Sequence, residues 1–295
     1  MAAASLSIII VTYNSADALA GLLDSIAEDL QGFGAANVLV IDNASRDETL
    51  EVAAAHPVGP RIIETGRNAG YAAAINIGYG AISPDDHVLV LNPDMRLAPG
   101  AIKQLFVTAA ETGAGIVAPR LLHPDGEVAH SIRREPSIAR AISDALLGWR
   151  IAGRLGWSEI VTDESRYARA GEVEWATGAA LLITPEARRA IGPWDERFFL
   201  YSEETDYMRR ARSAGFAVVF EPRASVMHVG GESGTNPTLH ALQVRNRIRY
   251  YAKHNPLSRA AAFRLIVAAN EGLRLSRSEA YRAGLDAALA TRAGD

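Results

Sequence analysis

Six polar residues stand where a strand is expected to end or a helix to begin, and together their side chains could do chemistry. They are Asp42, Asp94, Glu203, Glu204, Asp206 and His228. A hard divalent cation such as Mg²⁺ or Mn²⁺ prefers oxygen ligands and tolerates one imidazole, so Asp94 and His228 predict a cation site that would hold a diphosphate. A carboxylate outside that site could act as a general base.

Each of these residues also has a structural interpretation. A single Asp at the end of a strand often caps a turn, and a single His is often a structural one. Carboxylates such as Glu203, Glu204 and Asp206 are favoured by the dipole of a helix whose first turn they occupy. The chemical interpretation therefore depends on the six residues acting together.

The stretch Asp86–Asp94 positions the most informative of them. A mostly apolar run from His87 to Leu91 predicts a strand buried on both faces, and Pro93 cannot continue a central strand. We therefore expect Asp94 just beyond the carboxyl end of that strand. In an open α/β sheet this edge is where ligands bind.

Strands and helices alternate over the first 120 residues. We expect strands over Leu6–Thr12, Asn37–Ile41, Arg61–Glu64, His87–Leu91 and Gly115–Ala118, and helices through Leu19–Ile26, from a cap at Asn43–Ser45 to about Ala55, over Tyr71–Ala81 and over Pro99–Thr112. This alternation predicts βαβ units and a mainly parallel sheet. Because Asp42 and Asp94 follow different strands of that sheet, they should converge.

The second part of the chain has a looser pattern. Residues 119–171 predict a loop or helical excursion over the cleft, and the β character of Glu172–Ile183 is broken at Thr177–Ala179, where small residues suit a close approach of ligand to backbone. After these we expect a helix that begins with Glu203 and runs to Gly215, strands over Phe216–Phe220 and Ala224–His228, and three helices from Thr238 onward.

Composition and charge narrow the class of protein. The 295 residues are 48% hydrophobic and 22% charged and include no cysteine, which excludes disulfides and thiolate metal sites and suits a cytoplasmic location. No apolar run approaches the length that a membrane span needs, and the first residues lack the basic region of a signal peptide. The part from Thr238 onward carries 10 Lys/Arg and 4 Asp/Glu, or +6, which leaves −10 for the part before it.

Seven stretches, in order, resemble glycosyltransferase family 2, the inverting enzymes of GT-A fold, and in particular its bacterial rhamnosyltransferase-like branch. They are Ile10–Ser15, Val40–Ser45, Arg67–Tyr71, Leu91–Asp94, Thr177–Leu182, Phe198–Asp206 and Val226–Gly231. The resemblance implies an α/β fold with a mainly parallel sheet flanked by helices. It places a Rossmann-like nucleotide-sugar half in residues 1–120, an acceptor and catalytic half in 121–236, and a helical C-terminal extension in 237–295.

The resemblance also implies a role for individual residues. Donor binding would use Thr12, Tyr13, Asn14, Asp42, Arg67, Asn68, Gly70, Asn92 and Asp94. Asn92-Pro93-Asp94 stands where the family has Asp-x-Asp, so metal ligation would rest on Asp94 together with His228. Glu204 stands where the family's base is commonly an Asp. Candidates on the acceptor side are Trp175, Thr177, Gly178, Glu203 and Asp206.

The implied activity is metal-dependent, inverting transfer of a sugar, rhamnose among the candidates. The donor would be a dTDP- or UDP-sugar, the metal Mg²⁺ or Mn²⁺, and the acceptor a glycan or lipid-linked hydroxyl in bacterial envelope polysaccharide synthesis. Two alternatives are a dinucleotide-dependent oxidoreductase and a non-catalytic nucleotide-sugar-binding protein. The βαβ start alone favours the oxidoreductase, but the Gly-x-Gly-x-x-Gly motif that such enzymes carry is missing from the first turn.

The basic C-terminal part suggests a partner. Its arginines alternate with Tyr250, Tyr251, Phe263 and other apolar residues, and a basic amphipathic helix can lie on an anionic membrane. We therefore expect a location at the inner face of the cell membrane, with a homodimer interface as the alternative use of these helices. The acidic remainder of the chain argues against nucleic acid as a partner.

Overall fold

The computed structural model describes residues 5–33, 36–230 and 236–290 of this chain. Its main sheet has nine strands, in the order β3-β2-β1-β4-β10-β6-β11-β5, with β8 paired to β11. The strands are β1 Leu6–Thr12, β2 Asn37–Asp42, β3 Arg61–Glu64, β4 His87–Leu91, β5 Met95–Leu97, β6 Ile116–Leu122, β7 Ile132–Arg133, β8 Gly171–Glu172, β9 Trp175–Ala176, β10 Ala180–Ile183 and β11 Val218–His228.

Eleven α-helices in these residues cover the sheet and extend beyond it. They are α1 Ala16–Gln31, α2 Thr49–Ala55, α3 Tyr71–Gly80, α4 Ala101–Thr112, α5 Ile138–Leu147, α6 Trp149–Arg154, α7 Pro185–Ile191, α8 Glu203–Ser213, α9 Pro237–Lys253, α10 Leu257–Gly272 and α11 Glu279–Ala290. Apolar side chains fill both faces of the sheet, so two layers of core separate it from the helices.

The parallel half of the sheet confirms the α/β prediction. β1 pairs in parallel with β2 and β4, and β2 pairs with β3. The Val, Ile and Leu residues of β1 and β4 are buried on both faces, as parallel strands between helices require. Thr12 and Asp42 are register partners at the ends of their strands, so the carboxyl ends form one polar edge.

Three antiparallel strands modify the parallel sheet. β10 lies between β4 and β6 and runs antiparallel to both, whereas the sequence pattern gives no sign of strand order. The short strand β5, which the sequence pattern does not indicate, pairs with the end of β11. Asn92-Pro93-Asp94 is therefore a turn between two strands, since the amide of Met95 donates to the carbonyl of Asn92.

Several element boundaries differ from those expected, and two of the differences have a clear local cause. The two strands predicted over 216–228 form one strand, β11, whose register shifts between Glu221 and Ser225 because Pro222 interrupts the ladder while the chain stays extended. Helix α2 begins at Thr49 rather than directly after Ser45. The hydroxyl of Ser45 donates to Asp42 and so closes a loop ahead of the helix.

The C-terminal helices pack on the helical excursion as well as on one another. Helix α10 lies against α5, and its Phe263 ring stacks on Tyr251 of α9 with centroids 3.9 Å apart. Tyr250, Tyr251 and Phe263 are buried, so the aromatic residues of the basic stretch face the interior of this helical layer. Within the described ranges, every helix is too short or too polar to cross a bilayer.

Two boundaries expected from the sequence lie outside the described residues. Gly231, the last residue of the seventh motif, is one, and the end of the predicted C-terminal extension at 291–295 is the other. The division of the chain at 120 and at 236 stays a prediction.

Candidate active site

The ends of β1 and β2 carry the first group of candidate donor-binding residues. Thr12 Oγ1 donates to Asp42 Oδ1 at 2.8 Å, and the hydroxyl and amide of Ser45 donate to the two oxygens of the same carboxylate at 2.6 and 2.9 Å. Asp42 is fully buried. Its carboxylate therefore organises the loops at the sheet edge, and a direct contact between Asp42 and a donor remains a prediction.

The Tyr13-Asn14 loop is fastened to the loop after β2. Asn14 adopts a positive φ of 49°, its amide donates to Ser45 Oγ, and its side-chain oxygen accepts from the amide of Arg46 at 2.8 Å. Tyr13 stays about half exposed at the same edge. A flat ring held on a fixed loop is available for stacking against a nucleobase.

The loop from Arg67 to Gly70 borders that edge on its other side. Asn43 Nδ2 donates to the carbonyl of Gly70 at 3.2 Å, and Asn68 Oδ1 accepts from the amide of Gly70. Gly70 has φ of +90°, and a Cβ there would lie 2.5 Å from the carbonyl oxygen of Phe199, so the position requires glycine. Arg67 and Asn68 are exposed, which leaves the Arg67 guanidinium accessible to phosphate groups.

Asp94 and His228 meet where β5 pairs with the end of β11. Val229 donates its amide to the carbonyl of Asp94, and His228 Nε2 lies 2.9 Å from Asp94 Oδ2. Asp94 Oδ1 is buried and has no hydrogen-bond partner among the described residues. A Cβ on Gly230 would lie 1.9 Å from Asp94 Oδ2, so only glycine leaves room for this carboxylate.

These two side chains fit a divalent cation as part of its ligand shell. The unbonded Asp94 oxygen and the imidazole are both suitable ligands. Within residues 5–33, 36–230 and 236–290, there is no cluster of three or more acids or histidines that could bind a metal by itself. Oxygen atoms of a bound diphosphate would have to supply further ligands, as expected from the sequence. The backbone amide of Asn92 donates to the carbonyl of Ala179 at 2.9 Å.

Glu203 and Glu204 occupy the first turn of α8, after a strained turn. Tyr201 and Ser202 have φ of 71° and 69°, which non-glycine residues rarely adopt. Burial raises the pKa of Glu203 well above 4.5, and the neighbouring Glu204 adds to the increase. Burial also raises the pKa of Glu204, although helix amides and the charge of Arg133 oppose the rise. Each glutamate keeps one buried carboxylate oxygen without a partner in the described part of the chain.

Gly178 and Tyr71 lie beside the two glutamates. A Cβ on Gly178 would lie 3.0 Å from Cβ of Glu204, and the hydroxyl of Tyr71 donates to the Gly178 carbonyl at 3.2 Å. Burial raises the pKa of Tyr71 well above 10.0, and charges on Glu203, Glu204 and Asp94 raise it further. The Tyr71 hydroxyl is thus close enough to Glu203, Glu204 and Asp94 for the charges of all three carboxylates to raise its pKa.

A cavity of about 340 Å³ opens beside Glu204, and we call it the acceptor pocket. Its walls come from four parts of the chain. They are β7 and β9, the start of α8, the α5–α6 segment (residues 138–157), and the C-terminal helices. The lining residues include Arg133, Asp144, Trp149, Trp175, Tyr201, Glu204, His240, Arg247, Tyr250, Asn270 and Arg274. Aromatic rings beside charged and amide groups are suited to binding a sugar.

The remaining candidates on the acceptor side have different surroundings. Trp175 lines the pocket and donates its indole N–H to the carbonyl of Arg134 at 3.0 Å. Thr177 Oγ1 is buried near it without a partner in the described residues. Glu203 is 4% exposed and does not line the pocket, so Glu204 is the one of these two glutamates that the pocket can reach.

Asp206 has a structural environment instead. It is fully buried, and its carboxylate contacts Arg210 at 2.8 Å, His254 at 2.7 Å and Lys253 at 2.6 Å. Burial alone would raise its pKa, but hydrogen bonds from His254, Lys253 and Arg210 hold the pKa of Asp206 below its ordinary value. The acceptor role expected for Asp206 has no support in this geometry, because the carboxylate ties α8 to the end of α9.

Sequence reasoning missed Tyr71 and Arg133, as well as the residues through which α5, α6 and the C-terminal helices line the pocket. Tyr71 is the last residue of the Arg67–Tyr71 motif, which was the available signal. Arg133 lies in the two-residue strand β7 opposite Trp175, in the region where the sequence pattern is loosest. Only the fold brings Arg133 near Glu204.

Comparisons with known proteins find relatives that match most of this chain. The model of glycosyl transferase family 2 matches residues 7–176. N-acetylglucosaminyl-diphospho-decaprenol L-rhamnosyltransferase of Mycobacterium tuberculosis is 32% identical over 249 residues, which cover 80% of each chain. A hexosyltransferase of low-salt glycan biosynthesis in Haloferax volcanii is 29% identical over 70% of this chain and 61% of its own length.

Solved structures share the fold at low sequence identity. GalNAc-T7 with UDP, GalNAc and Mn²⁺ aligns with a TM-score of 0.62 and 17% identity over 88% of this chain, which spans about half (52%) of that protein. The mannosyltransferase PcManGT of Pyrobaculum calidifontis, with GDP-Man and Mn²⁺, aligns with a TM-score of 0.57 and 17% identity over 97% of this chain and 73% of its own. The family match and the curated relatives support a glycosyltransferase rather than the two alternatives, an oxidoreductase and a non-catalytic protein. The chain belongs to glycosyl transferase family 2, is similar to its rhamnosyltransferases, and is a glycosyltransferase of GT-A fold.

Proposed function

We propose that this glycosyltransferase moves a sugar, with inversion, from a nucleoside diphosphate to an acceptor hydroxyl bound in the acceptor pocket. One observation carries the proposal. Glu204 lines that pocket, keeps a buried carboxylate oxygen without a partner in the described residues, and has a pKa that burial raises. These are the properties expected of a general base that accepts the proton of the acceptor hydroxyl.

The donor would lie along the polar edge of the sheet. Tyr13 offers its exposed ring to the base, and Arg67 offers its exposed guanidinium to the phosphates. Thr12, Asn14, Asp42, Asn68 and Gly70 hold the loops that carry those two side chains. A dTDP- or UDP-sugar is the proposed donor. Rhamnose is the sugar that the name of the mycobacterial relative gives, and UDP is the nucleotide bound in the GalNAc-T7 structure.

A divalent cation, Mg²⁺ or Mn²⁺, would be held by Asp94 and His228. The unbonded Asp94 oxygen and the lack of space for any side chain at Gly230 support this assignment, as do the Mn²⁺ ions bound in two structures of the same fold. When bound, the cation neutralises charge that gathers on the leaving diphosphate. Arg67 supplies a second positive charge from the protein itself.

The reaction would need one displacement. The acceptor oxygen attacks the anomeric carbon, the bond from that carbon to the diphosphate oxygen breaks on the opposite face, and the hydroxyl proton passes to Glu204. Burial raises the pKa of Glu204 and makes it a stronger base than a carboxylate in water, and the charge of Arg133 partly opposes that rise. Because there is a single displacement, the product has the inverted anomeric configuration.

The acceptor is proposed to be a glycan or a lipid-linked sugar. The mycobacterial relative is named for a sugar linked through a diphosphate to decaprenol. In this chain the pocket offers Trp175 and Trp149 for the apolar face of a sugar ring, and Arg274 and the ion pair of Arg247 with Glu159 add polar groups.

Exchange of Glu204 tests the proposal. The variant Glu204→Gln should lose about 10²- to 10⁴-fold in kcat because the proton acceptor is removed. Its binding of dTDP, UDP or GDP with MnCl₂, followed as a shift in melting temperature, should persist. Glu51→Gln, on the exposed face of α2, is the matched control and should keep full activity. Full activity in Glu204→Gln would refute the role of the base.

A nucleotide panel tests the donor and the cation separately. A stabilising shift with dTDP or UDP that EDTA abolishes in the wild type, and that Asp94→Ala lacks, is the expected result. A shift that is unaffected by EDTA would refute the metal assignment. Analysis of the product by NMR then decides between inversion and retention.

A further inference from the structure

The α5–α6 segment exposes more large apolar side chains than any other stretch of its length in the described residues. Leu146 is 73% exposed and Trp157 56% exposed, and Trp149, Ile151 and Leu155 are each exposed by 40% or more. We call these five residues the apolar patch. Their backbone is well ordered by hydrogen bonds, such as Trp157 N to Ala152 O at 2.8 Å, so the exposure belongs to a formed structure rather than to a loose loop.

The surroundings of the apolar patch are positively charged. Arg150 and Arg154 are exposed between its members, and the guanidinium of Arg150 lies over the Trp149 ring at 5.0 Å. Residues 138–157 include three arginines and one acid, Asp144, which faces the acceptor pocket. A surface of Trp and Leu side chains among arginines matches the boundary between acyl chains and anionic head groups.

The end of α10 extends this surface. Arg274 donates to the carbonyls of Asp144 at 2.8 Å and Ala145 at 3.3 Å, which fastens the end of α10 to the end of α5. The exposed Leu273 and Leu275 flank Arg274, and Arg277 follows. The apolar area and its positive rim thus continue from one helix to the next.

The apolar patch also adjoins the acceptor pocket. Trp149 belongs to both, and Asp144 and Arg274 line the pocket from the elements that carry the patch. A surface docked through the patch would therefore lie at the mouth of the cavity that contains Glu204.

We infer that the α5–α6 segment docks this enzyme on an anionic lipid bilayer, with the apolar patch at the level of the head groups and the acceptor pocket open toward the membrane. This inference rests on the proposed function in one respect: docking would serve to deliver a lipid-linked acceptor to the pocket. It moves the expected docking surface away from the basic C-terminal helices, whose aromatic residues are buried, to the α5–α6 segment and the adjoining end of α10.

A second copy of the chain is a poorer occupant of the same surface. A two-fold dimer would bring each patch against itself and would set Arg150 and Arg154 of one copy near those of the other. Such an arrangement opposes like charges, whereas anionic phospholipids complement them.

Flotation with lipid vesicles tests the inference without any catalytic assay. The full chain should bind vesicles of phosphatidylcholine with phosphatidylglycerol, and bind phosphatidylcholine alone more weakly. The triple variant Leu146→Ser/Ile151→Ser/Leu155→Ser should bind at least about tenfold more weakly, because three side chains no longer enter the bilayer. Arg150→Gln/Arg154→Gln should lose the preference for anionic lipid.

The control removes the same number of exposed aliphatic side chains elsewhere. Leu257, Leu265 and Leu289 are each more than 60% exposed outside the patch, so Leu257→Ser/Leu265→Ser/Leu289→Ser should bind vesicles as the wild type does. Equal binding by the patch variant and the wild type, no binding by the wild type, or a dimer in sedimentation that the patch variant abolishes would each overturn the inference. A protein that binds vesicles through the patch but transfers no sugar would leave the inference standing and refute the proposed function instead.

Discussion

At the scale of single residues, the site depends on what sets the pKa of Glu204 and the position of the Asp94 carboxylate. Burial pushes the pKa of Glu204 upward, and the positive charge of Arg133 pushes it down. The position of Asp94, by contrast, depends on available space. Because Gly230 has no side chain, the Asp94 carboxylate fits beside His228. Each influence can be removed by one substitution.

Loss of Arg133 should shift the pH dependence of catalysis. A general base must be ionised, so activity falls as the pH drops through the pKa of Glu204. In Arg133→Gln the pKa of Glu204 rises further, and the acidic limb of the kcat/KM profile should move to higher pH by up to about one unit. Arg169→Gln, at an exposed position, should leave the limb in place. An unmoved limb in Arg133→Gln would show that Arg133 does not act on Glu204.

A side chain at position 230 should abolish the cation site. In Gly230→Ala the new Cβ would occupy the space of Asp94 Oδ2, so the carboxylate must move away from His228. We expect the Mn²⁺-dependent part of nucleotide binding, measured by calorimetry, to fall at least about tenfold. Gly80→Ala is the matched control, because nothing lies within 4 Å of a Cβ at that position. Retained Mn²⁺ dependence in Gly230→Ala would count against the Asp94–His228 pair.

At the scale of elements, α8 has two functions at its first turn. Glu204 faces the acceptor pocket, while Asp206, two residues later, faces the end of α9 and three basic side chains. Helical spacing turns these side chains in different directions, so the acidic cluster in the sequence combines a chemical residue with a structural one.

The ion-pair cluster around Asp206 should contribute to stability. Asp206→Asn leaves three largely buried basic groups without their carboxylate, and we expect a loss of about 3 kcal/mol in the free energy of unfolding, measured by urea denaturation at pH 7. Because the folded pKa of Asp206 lies below 3.8, this contribution is present above that pH and disappears as the pH falls below it. Asp85→Asn, which breaks an exposed pair with Arg189, should cost less than about 1 kcal/mol. Similar losses for both variants would contradict the role given to Asp206.

At the scale of the whole molecule, the C-terminal helices complete the active site. Fully buried Asn246 of α9 donates to the carbonyl of Leu200 at 2.8 Å, directly before the strained Tyr201-Ser202 turn that sets the start of α8. His240, Arg247 and Arg274 from the same layer line the acceptor pocket. Acceptor use should therefore depend on helices that the family model, which ends at residue 176, does not cover.

Removal of the Asn246 side chain should separate donor binding from transfer. In Asn246→Ala the turn before α8 loses its anchor, so Glu204 is less well positioned, and kcat should fall about tenfold or more while nucleotide affinity stays unchanged. Asn255→Ala is a suitable control, because the side chain of Asn255 donates to the carbonyl of Tyr251, four residues earlier, and not to the turn before α8 in the described part of the chain. A fall in nucleotide affinity equal to the fall in kcat would indicate general unfolding rather than loss of positioning.

The sequence by itself determined the parallel half of the fold and the residues at its edge. Apolar residues recur at the spacing of a strand or at that of a helix, and this spacing specifies each element locally. The positions of Thr12, Asp42 and Asp94 at strand ends follow from it. The seven motifs identified the family, which the comparisons confirm.

The tertiary structure decided which of the acidic residues face the acceptor pocket, and which elements form the walls of that pocket. Strand β5, the antiparallel placement of β10 and the approach of Arg133 to Glu204 depend on contacts between residues far apart in the chain, for which local pattern carries no signal. Asp206 and the aromatic residues of α9 and α10 were expected at a binding surface and are buried instead. Composition tells how polar a stretch is, but the direction of each side chain is fixed only when helices pack against the sheet and against each other.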